Sequence, residues 1–378
     1  MTNDQDQILR LLSDLIECKS ITPDDAGCQI LISKFLEGLG FTVNHIRKDD
    51  VDNMIAVLGS SGPTFAFVGH TDVVPEGDVT KWSSPPFKLE QIGEKLFGRG
   101  TSDMKGSITC MLIAIKELVD KFDKINGTII IILTSDEEGP AINGIQSLVT
   151  DELSAYKIDM CLVGEPSCKK IIGDTIKNGR RGSLSGTLHI KGVQGHIAYP
   201  QNAVNPIHIF APTLDKLISE KYDLGNNHFP PTSFQISNIN SGVGTTNIIP
   251  GDLKMEFNFR YSTETNANKL QSTVKKILDL ATIDYSIEWS HSGEPYLTED
   301  SRLLKICQES VESITNHKVA ISTDGGTSDG RFMAKICDDV IEFGLVNETI
   351  HKIDEHTTIE NIKKLKDIYH SILVKLFT

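Results

Sequence analysis

Five consecutive aliphatic residues, Ile129 to Leu133, are followed after two intervening residues by three acids in a row, Asp136, Glu137 and Glu138. An uninterrupted apolar run of this length predicts a strand that is buried on both faces, as in the middle of an α/β sheet. The three carboxylates would then leave the strand together at its carboxyl end. Because neighbouring carboxylates raise one another's pKa, this cluster is favourable only where a positive charge meets it. A metal site explains the cluster, and an acidic surface loop is the alternative.

The same arrangement recurs at two further predicted strands. One apolar run leads to His70 and Asp72, and another leads to Glu165. In open α/β sheets, ligands bind beyond the carboxyl ends of the parallel strands. We therefore expect the three strands to be neighbours that deliver these side chains to one crevice.

Length and charge limit the architecture and the classes of partner. At 378 residues the chain is too long for one typical core, which predicts two domains. A net charge of -14 disfavours nucleic acid and anionic membranes as partners. It does not disfavour an anionic small molecule, because a local arginine cluster can override the net balance.

Several features indicate a cytoplasmic protein. The seven cysteines are scattered without a C-x-x-C pair, and most lie in apolar patterns. They are typical of reduced core residues rather than of a disulfide framework or a thiolate metal site. The N-terminus has no signal-peptide pattern, and no apolar run approaches the roughly 18 residues of a membrane span.

The hydrophobic pattern changes between Gly179 and Pro295, where apolar and polar residues alternate in the predicted strands. Strand, helix and strand are predicted twice in succession, a β-α-β-β-α-β order with an antiparallel sheet that is wet on one face. We therefore expect a ferredoxin-like α+β domain at residues 179–294, inserted into an α/β domain formed by residues 1–178 and 295–378.

Six short motifs follow one another along nearly the whole chain, and together they resemble the two-zinc aminoacylase and carboxypeptidase-like family of metallohydrolases. The resemblance implies that the discontinuous α/β domain is a two-zinc exopeptidase-like catalytic domain and that the insertion is a dimerisation (lid) domain. The motifs are His70-Thr-Asp72, Gly98-Arg-Gly100-Thr-Ser-Asp103-Met-Lys105, Asp136-Glu-Glu138-Gly, Gly164-Glu165-Pro, Gly192-Val-Gln-Gly195-His196 and Thr349-Ile-His351.

The resemblance also implies which residues bind the metals. Two divalent ions, zinc with cobalt or manganese as alternatives, suit imidazole and carboxylate ligands. One ion would be held by His70 and Glu165, the other by Glu138 and His351, and Asp103 would bridge them. For Asp103 alone, a helix N-cap is the alternative, and for His351 it is a surface or structural histidine.

Three more residues have implied roles in catalysis. Asp72 would accept the second ring N–H of His70 and fix its tautomer. Glu137 would take a proton from the attacking water and deliver it to the leaving nitrogen. His196 would reach the substrate carbonyl from a partner subunit and stabilise the oxyanion, which implies a homodimer formed through the lid domain. The alternative for His196 is a turn residue after Gly195.

Arginine forks suit carboxylates, and the insertion contains several arginines that fit the family pattern for substrate binding. Solvated arginines at a domain edge, and a packing role for Tyr199, are the alternatives. The candidate substrate-binding residues are Arg180, Arg181, Ser183, Tyr199, Asn247, Arg260, Gly326, Thr327 and Asn347.

The substrate implied by the resemblance is a small anionic N-acyl amino acid. The expected reaction is hydrolysis of the amide of N-succinyl-LL-2,6-diaminopimelate, giving succinate and LL-2,6-diaminopimelate in bacterial lysine and diaminopimelate biosynthesis. Another deacylase of the same family, such as an acetylornithine deacetylase or a dipeptidase, is the nearest alternative. A non-catalytic binding protein is the alternative from a different class, although Glu137 and every expected ligand are present.

Overall fold

The computed structural model describes residues 3–378, with side chains from Asp6 onward. The chain divides into two compact units. The first unit consists of the residues up to Gly179 together with Leu297–Ser322 and Ser328–Thr378, and the second consists of Arg180–Tyr296 and Thr323–Thr327. The second unit therefore extends two residues beyond the predicted insertion and recruits a short segment from later in the chain.

Helices and strands are numbered in chain order. The helices are α1 (Asn3–Glu17), α2 (Cys28–Glu37), α3 (Lys105–Lys121), α4 (Ile145–Thr150), α5 (Pro206–Ser219), α6 (Ala267–Asp279), α7 (Arg302–Thr315), α8 (Gly330–Met333) and α9 (Ile359–Phe377). The strands are β1 (Thr42–Lys48), β2 (Val51–Leu58), β3 (Thr64–His70), β4 (Glu90–Ile92), β5 (Lys95–Phe97), β6 (Thr128–Thr134), β7 (Met160–Val163), β8 (Thr175–Lys177), β9 (Gly179–Arg180), β10 (Gly182–Lys191), β11 (Gly195–His196), β12 (Ser233–Ser241), β13 (Ile248–Ile249), β14 (Asp252–Tyr261), β15 (Tyr285–Gly293), β16 (Tyr296–Leu297), β17 (Ala320–Ser322), β18 (Val340–Glu342) and β19 (His356–Thr358). None of these helices combines the length with the apolar character that a membrane span requires.

The first unit is built on an eight-stranded mixed sheet with the order β1-β2-β6-β3-β7-β18-β8-β17. Its centre is parallel, because β3 pairs in parallel with both β6 and β7, and β7 pairs in parallel with β18. Strand β6 is buried along its whole length, as its aliphatic run predicts. The prediction that the strands leading to the three acidic or histidine motifs are neighbours is confirmed.

Helix α9 shows how the helices cover this sheet. The side chain of Thr358 accepts a hydrogen bond from the backbone of Asn361 and begins the helix. The ring of Tyr369 then meets the ring of Phe67 edge-on, with centroids 5.9 Å apart, and its hydroxyl donates to the carbonyl of Phe343 at 2.6 Å. The carboxyl ends of the central strands are therefore held on a rigid, fully packed core.

The second unit has an antiparallel four-stranded sheet with the order β12-β14-β10-β15. With α5 and α6 it follows the predicted β-α-β-β-α-β order, which is confirmed. Alternate residues of β14 are buried, from Leu253 to Tyr261, and they pack with α5 and α6 residues such as Phe210 and Leu270. The alternation read from the sequence thus reflects a sheet with one packed face.

All seven cysteines are free, and all except Cys18 are buried. Burial raises the pKa of the Cys168 thiol to about 11, so it stays protonated at neutral pH. The cysteines therefore behave as small core residues, as the sequence predicts.

Candidate active site

Two glycines shape the floor of the site at the carboxyl ends of β3 and β7. A Cβ at Gly69 would lie 2.7 Å from Met104 Cε, and a Cβ at Gly164 would lie 2.6 Å from the same atom. A side chain at either position would therefore displace the end of the Met104 side chain. Since each glycine precedes a candidate ligand and Met104 follows Asp103, this packing brings the three ligand-bearing segments together.

The first group of candidate metal ligands consists of His70, Asp103 and Glu165. Nε2 of His70 lies 3.3 Å from Oδ1 of Asp103 and 3.6 Å from Oε1 of Glu165. The second group consists of Asp103, Glu138 and His351, with His351 Nε2 3.2 Å from Asp103 Oδ2 and 2.9 Å from Glu138 Oε1. Asp103 thus presents one carboxylate oxygen to each group.

The chemistry of these groups fits divalent cations. His70 Nε2 and Asp103 Oδ1 are buried and make no hydrogen bond, because their 3.3 Å approach lacks hydrogen-bond geometry. A buried polar atom left unsatisfied costs about 1–3 kcal/mol, which a shared cation would remove. In each group the ligand atoms lie within 4.8 Å of one another. Imidazole nitrogen with carboxylate oxygen is a ligand set that zinc accepts.

The pKa shifts of Asp103 and His351 come mainly from the pairing of histidine rings with carboxylates. Burial opposes ionisation of Asp103, but its contacts with His351 and His70 outweigh burial and hold the pKa of its carboxyl below the usual range. Hydrogen bonds to Asp103 and Glu138 raise the pKa of His351 to about 10. The carboxylates therefore favour any positive charge placed between them.

The orientation of His70 is set by the backbone of Asp72. Nδ1 lies 2.9 Å from the main-chain carbonyl oxygen of Asp72, and this oxygen only accepts, so Nδ1 carries the proton and Nε2 is left as the ligand atom. The carboxylate of Asp72 lies farther away, with Oδ1 3.7 Å from Nδ1. It accepts instead from the backbone N–H groups of Glu138 at 3.1 Å and Glu137 at 3.4 Å. The main-chain carbonyl of Asp72 therefore accepts the ring N–H of His70, and its carboxylate holds the acidic loop instead.

The three consecutive acids after β6 have different contacts and environments. Asp136 is buried and accepts from the backbone N–H groups of Ile142 and Asn143, at 2.9 and 3.0 Å, so it closes the loop that follows. Glu138 meets His351 in the second ligand group. Burial raises the pKa of the Glu137 carboxyl well above its usual range, and the charge of Glu165 acts in the same direction.

In the second unit, one group of substrate candidates gathers around the segment Thr323–Thr327. Arg180 donates to the carbonyl of Asp324 at 3.1 Å, and Arg181 donates to the carbonyl of Gly325 at 3.3 Å. Gly325 has a φ of +100°, and a Cβ there would lie 2.6 Å from Arg180 Nη1. The two arginines and the backbone that carries Gly326 and Thr327 therefore form one arrangement.

Ser183 and Arg260 face each other in the ladder between β10 and β14. Asn258 donates to the Ser183 hydroxyl at 3.1 Å. Asn347 lies in the first unit, where its backbone N–H donates to the carbonyl of Cys168 at 2.8 Å.

A separate group in the second unit contains His196, Tyr199 and Asn247. The rings of His196 and Tyr199 are 5.6 Å apart, and the carbonyl of Asn247 accepts from the backbone of Ile197 at 3.1 Å. All three candidate residues are exposed within the described chain. Nδ1 of His196 accepts from the backbone N–H of Ala198 at 3.1 Å, so a neutral His196 carries its proton on Nε2.

One residue near the ligands was not identified from the sequence. Glu355 is fully buried and its carboxylate is 2.8 Å from Arg99 Nη1. In the sequence, Arg99 is the residue that indicates such a partner. It lies between two glycines at a turn, and an arginine that is buried there needs an acidic residue to pair with. Nothing in the local pattern around residue 355 indicates that it is this partner.

Comparison with known sequences identifies close relatives. A model of Peptidase family M20/M25/M40 matches residues 66–375. A protein named succinyl-diaminopimelate desuccinylase from Pseudoalteromonas atlantica is 49% identical over 371 residues, covering 98% of this chain and 99% of that protein. A protein of the same name from Hydrogenovibrio crunogenus is 46% identical over 373 residues, again covering 98% and 99%.

Solved structures share the fold. The M20 family metallo-carboxypeptidase Sso-CP2 from Sulfolobus solfataricus has a TM-score of 0.84 at 19% identity and covers 100% of this chain and 99% of that chain. A dinuclear metal-binding peptidase of the M20 family from Bacillus subtilis has a TM-score of 0.74 at 14% identity with the same coverage. The family match and the nearly full-length relatives together show that this chain belongs to Peptidase family M20/M25/M40.

Proposed function

We propose that the protein hydrolyses the amide of N-succinyl-LL-2,6-diaminopimelate to succinate and LL-2,6-diaminopimelate, in bacterial lysine and diaminopimelate biosynthesis. The main support is the pair of ligand groups that share Asp103, with Glu137 beside them in the same acidic loop as Glu138. The sequence supports the same function, because the chain is 49% identical over nearly its full length to a protein named succinyl-diaminopimelate desuccinylase.

Two divalent ions would be held at this site. His70, Asp103 and Glu165 would hold one ion, and Asp103, Glu138 and His351 the other. Zinc is our first choice, and cobalt or manganese are alternatives with the same ligand set. When bound, such ions polarise a carbonyl oxygen and lower the pKa of water.

The residues of the chain would supply proton transfer and orientation. Glu137 takes a proton from the attacking water and delivers it to the leaving nitrogen. The carboxylate of Asp72 accepts from the backbone of Glu137 and so holds this base in its loop. The carbonyl of Asp72 keeps the proton of His70 on Nδ1.

The second unit would bind the anionic ends of the substrate. Arg180, Arg181 and Arg260 suit carboxylates, because each guanidinium offers several N–H donors in one plane. Further donors would complete the binding of the succinyl and amino-acid carboxylates. The other candidates in the second unit are Ser183, Tyr199, Asn247, Gly326 and Thr327, and Asn347 is a candidate in the first unit.

His196 would stabilise the oxyanion in the site of a partner subunit, in a homodimer formed through the second unit. Its exposed ring and its proton on Nε2 make it a donor that a developing oxyanion can use. The free cysteines support a cytoplasmic location, because thiols persist in a reducing compartment.

A substrate panel tests this function. Zinc-loaded protein would be assayed with N-succinyl-LL-2,6-diaminopimelate, N-acetylornithine and a dipeptide, with product release measured for each. We expect the largest kcat/KM for the succinylated substrate. A clear preference for the acetylated substrate would favour an acetylornithine deacetylase, and absence of turnover on all three would contradict an enzymatic role.

A further inference from the structure

Two turns of the first unit carry the ligands of the second group, defined above as Asp103, Glu138 and His351. The first turn spans residues 98–104 and carries Asp103, and the second spans residues 349–356 and carries His351. The turns are joined at their bases, because β5 and β19 pair in antiparallel fashion, with Phe97 opposite His356. Each turn therefore begins or ends at the paired strands β5 and β19.

The carboxylate of Glu355 fills the space between these turns. Its Oε1 accepts from the backbone N–H groups of Ser102 at 2.9 Å and Asp103 at 3.1 Å. Its Oε2 accepts from the backbone N–H of Gly100 at 3.1 Å and from Arg99 at 2.8 Å. A single side chain from the second turn thus accepts hydrogen bonds from three backbone N–H groups of the first turn.

Arg99 completes the connection in the opposite direction. Its guanidinium donates to the carbonyl of Lys352, the residue after His351, and to the carbonyl of Pro75, both at 3.2 Å. The guanidinium also lies 5.2 Å from the centre of the Trp82 ring. Arg99 is 2% exposed, so its charge is compensated inside the protein by Glu355.

The second turn needs such support. His351 and Asp354 both have a φ of +60°, a left-handed conformation that non-glycine residues rarely adopt. The Ser102 hydroxyl also joins the two turns, because it donates to the carbonyl of His356 at 3.0 Å. Within the second turn, the Thr349 hydroxyl donates to the same carbonyl at 2.8 Å. The contacts of Glu355 and Arg99 therefore hold a strained turn in the position that presents His351 to Asp103.

The first ligand group depends less on these contacts. His70 ends a buried strand and is oriented by the carbonyl of Asp72, and Glu165 follows the neighbouring strand. Of the first group, only Asp103 lies on a turn that contacts Glu355. In the second group, Asp103 lies on the first turn, which Glu355 contacts, and His351 lies on the second turn, which carries Glu355.

We propose that Glu355, together with Arg99, is a positioning residue that fixes Asp103 against His351 and sets the cation affinity of the second ligand group more strongly than that of the first. This inference rests on the proposed metal site. It predicts an unequal effect on two cations that share a ligand, which a general loss of stability would not produce.

Zinc titration of the metal-free chain tests the proposal, with a chromophoric chelator as competitor. For wild-type protein we expect two zinc ions. In Glu355→Gln we expect one ion to bind nearly as before and the other to bind about 10- to 100-fold more weakly, the range found when groups that orient metal ligands are removed. Adding Glu355→Gln to a His351→Ala protein, which keeps only the first group intact, should change the remaining affinity little.

The matched control is Glu117→Gln. It removes a glutamate from a partly buried ion pair with Lys366, at 2.7 Å, between α3 and α9. We expect both zinc affinities to stay at wild-type values. A similar change in the control would show that lost stability, and not positioning, lowers the affinity.

Arg99→Lys provides a milder variant, because it keeps the buried positive charge but cannot reproduce the planar set of contacts. We expect the same selective weakening of one ion, and circular dichroism would establish that each variant is folded. Equal weakening of both ions, or no weakening in a folded Arg99→Lys protein, would overturn the proposal. Failure of wild-type protein to bind zinc would instead contradict the proposed metal site.

Discussion

His70 directs its Nδ1 atom at the main-chain carbonyl of Asp72, 2.9 Å away, while the carboxylate of Asp72 lies 3.7 Å from the same atom. The carboxylate accepts from the backbone of Glu137 and Glu138 instead. One residue therefore orients a ligand through its backbone and holds the acidic loop through its side chain.

Replacing the side chain of Asp72 should separate these two roles. In Asp72→Ala the carbonyl that orients His70 remains, so we expect zinc affinity of the first ligand group to change little. We expect kcat to fall by about 10- to 100-fold, since catalytic groups displaced by about 1 Å lose this much. Zinc titration and steady-state kinetics measure the two effects. A loss of zinc affinity as large as the loss of kcat would show that the carboxylate orients His70.

Glu137→Gln tests the proposed general base. The amide cannot take a proton, so we expect turnover to fall by about 100- to 10,000-fold, the usual contribution of a general acid–base group. Because Glu137 is not in either ligand group, the zinc content should remain that of wild-type protein. Metal analysis and kinetics on one preparation check both points, and unchanged turnover would refute the assignment.

Mixed dimers test whether His196 acts in the partner's site. His196→Ala and Glu137→Gln should each be nearly inactive as pure proteins. A dimer with one subunit of each kind contains one site with an intact Glu137 and an intact His196 supplied by the partner. Mixing the two variants under subunit exchange should therefore restore activity, and no gain over the separate proteins would contradict action across the dimer.

We expect His370 to make the free energy of unfolding depend on pH. Burial lowers the pKa of this histidine, and the charges of Lys366 and Lys121 act in the same direction against Glu117, which raises it. The folded protein therefore binds this proton more weakly than the unfolded chain does, and stability falls as pH drops below the ordinary histidine pKa of about 6.5. Thermal unfolding would be measured for wild-type protein and His370→Gln from about pH 7 to about pH 5, a range around that pKa. As the pH is lowered, the Tm of the variant should fall less than that of wild-type protein. An equal loss of Tm in both proteins would contradict this role of His370.

Much of the fold could be predicted because it follows local periodicity. The aliphatic run before Asp136 forms a strand buried along its length, and the alternation from Leu253 to Tyr261 forms one packed face of a sheet. The candidate ligands could be predicted because each follows a strand or turn with a recognisable sequence, and the structure gathers His70, Asp103, Glu138, Glu165 and His351 into two groups sharing one residue.

The contacts that could not be predicted join residues far apart in the chain. Glu355 contacts Arg99 across 256 positions, and no periodic pattern encodes that choice of partner. The separate roles of the Asp72 backbone and side chain depend on a difference of less than 1 Å between two distances. Nδ1 of His70 lies 2.9 Å from the carbonyl oxygen of Asp72 and 3.7 Å from its carboxylate. The inclusion of Thr323–Thr327 in the second unit depends on contacts with Arg180 and Arg181 that form only in the folded protein.

The central claim is that two cations share the carboxylate of Asp103. It is tested most directly by measuring zinc bound per chain in wild-type protein, His351→Ala and Asp103→Ala after removal of excess metal. We predict two ions in wild-type protein, one in His351→Ala, which leaves the first ligand group complete, and loss of tight binding at both positions in Asp103→Ala. Retention of two tightly bound ions in Asp103→Ala would contradict the account.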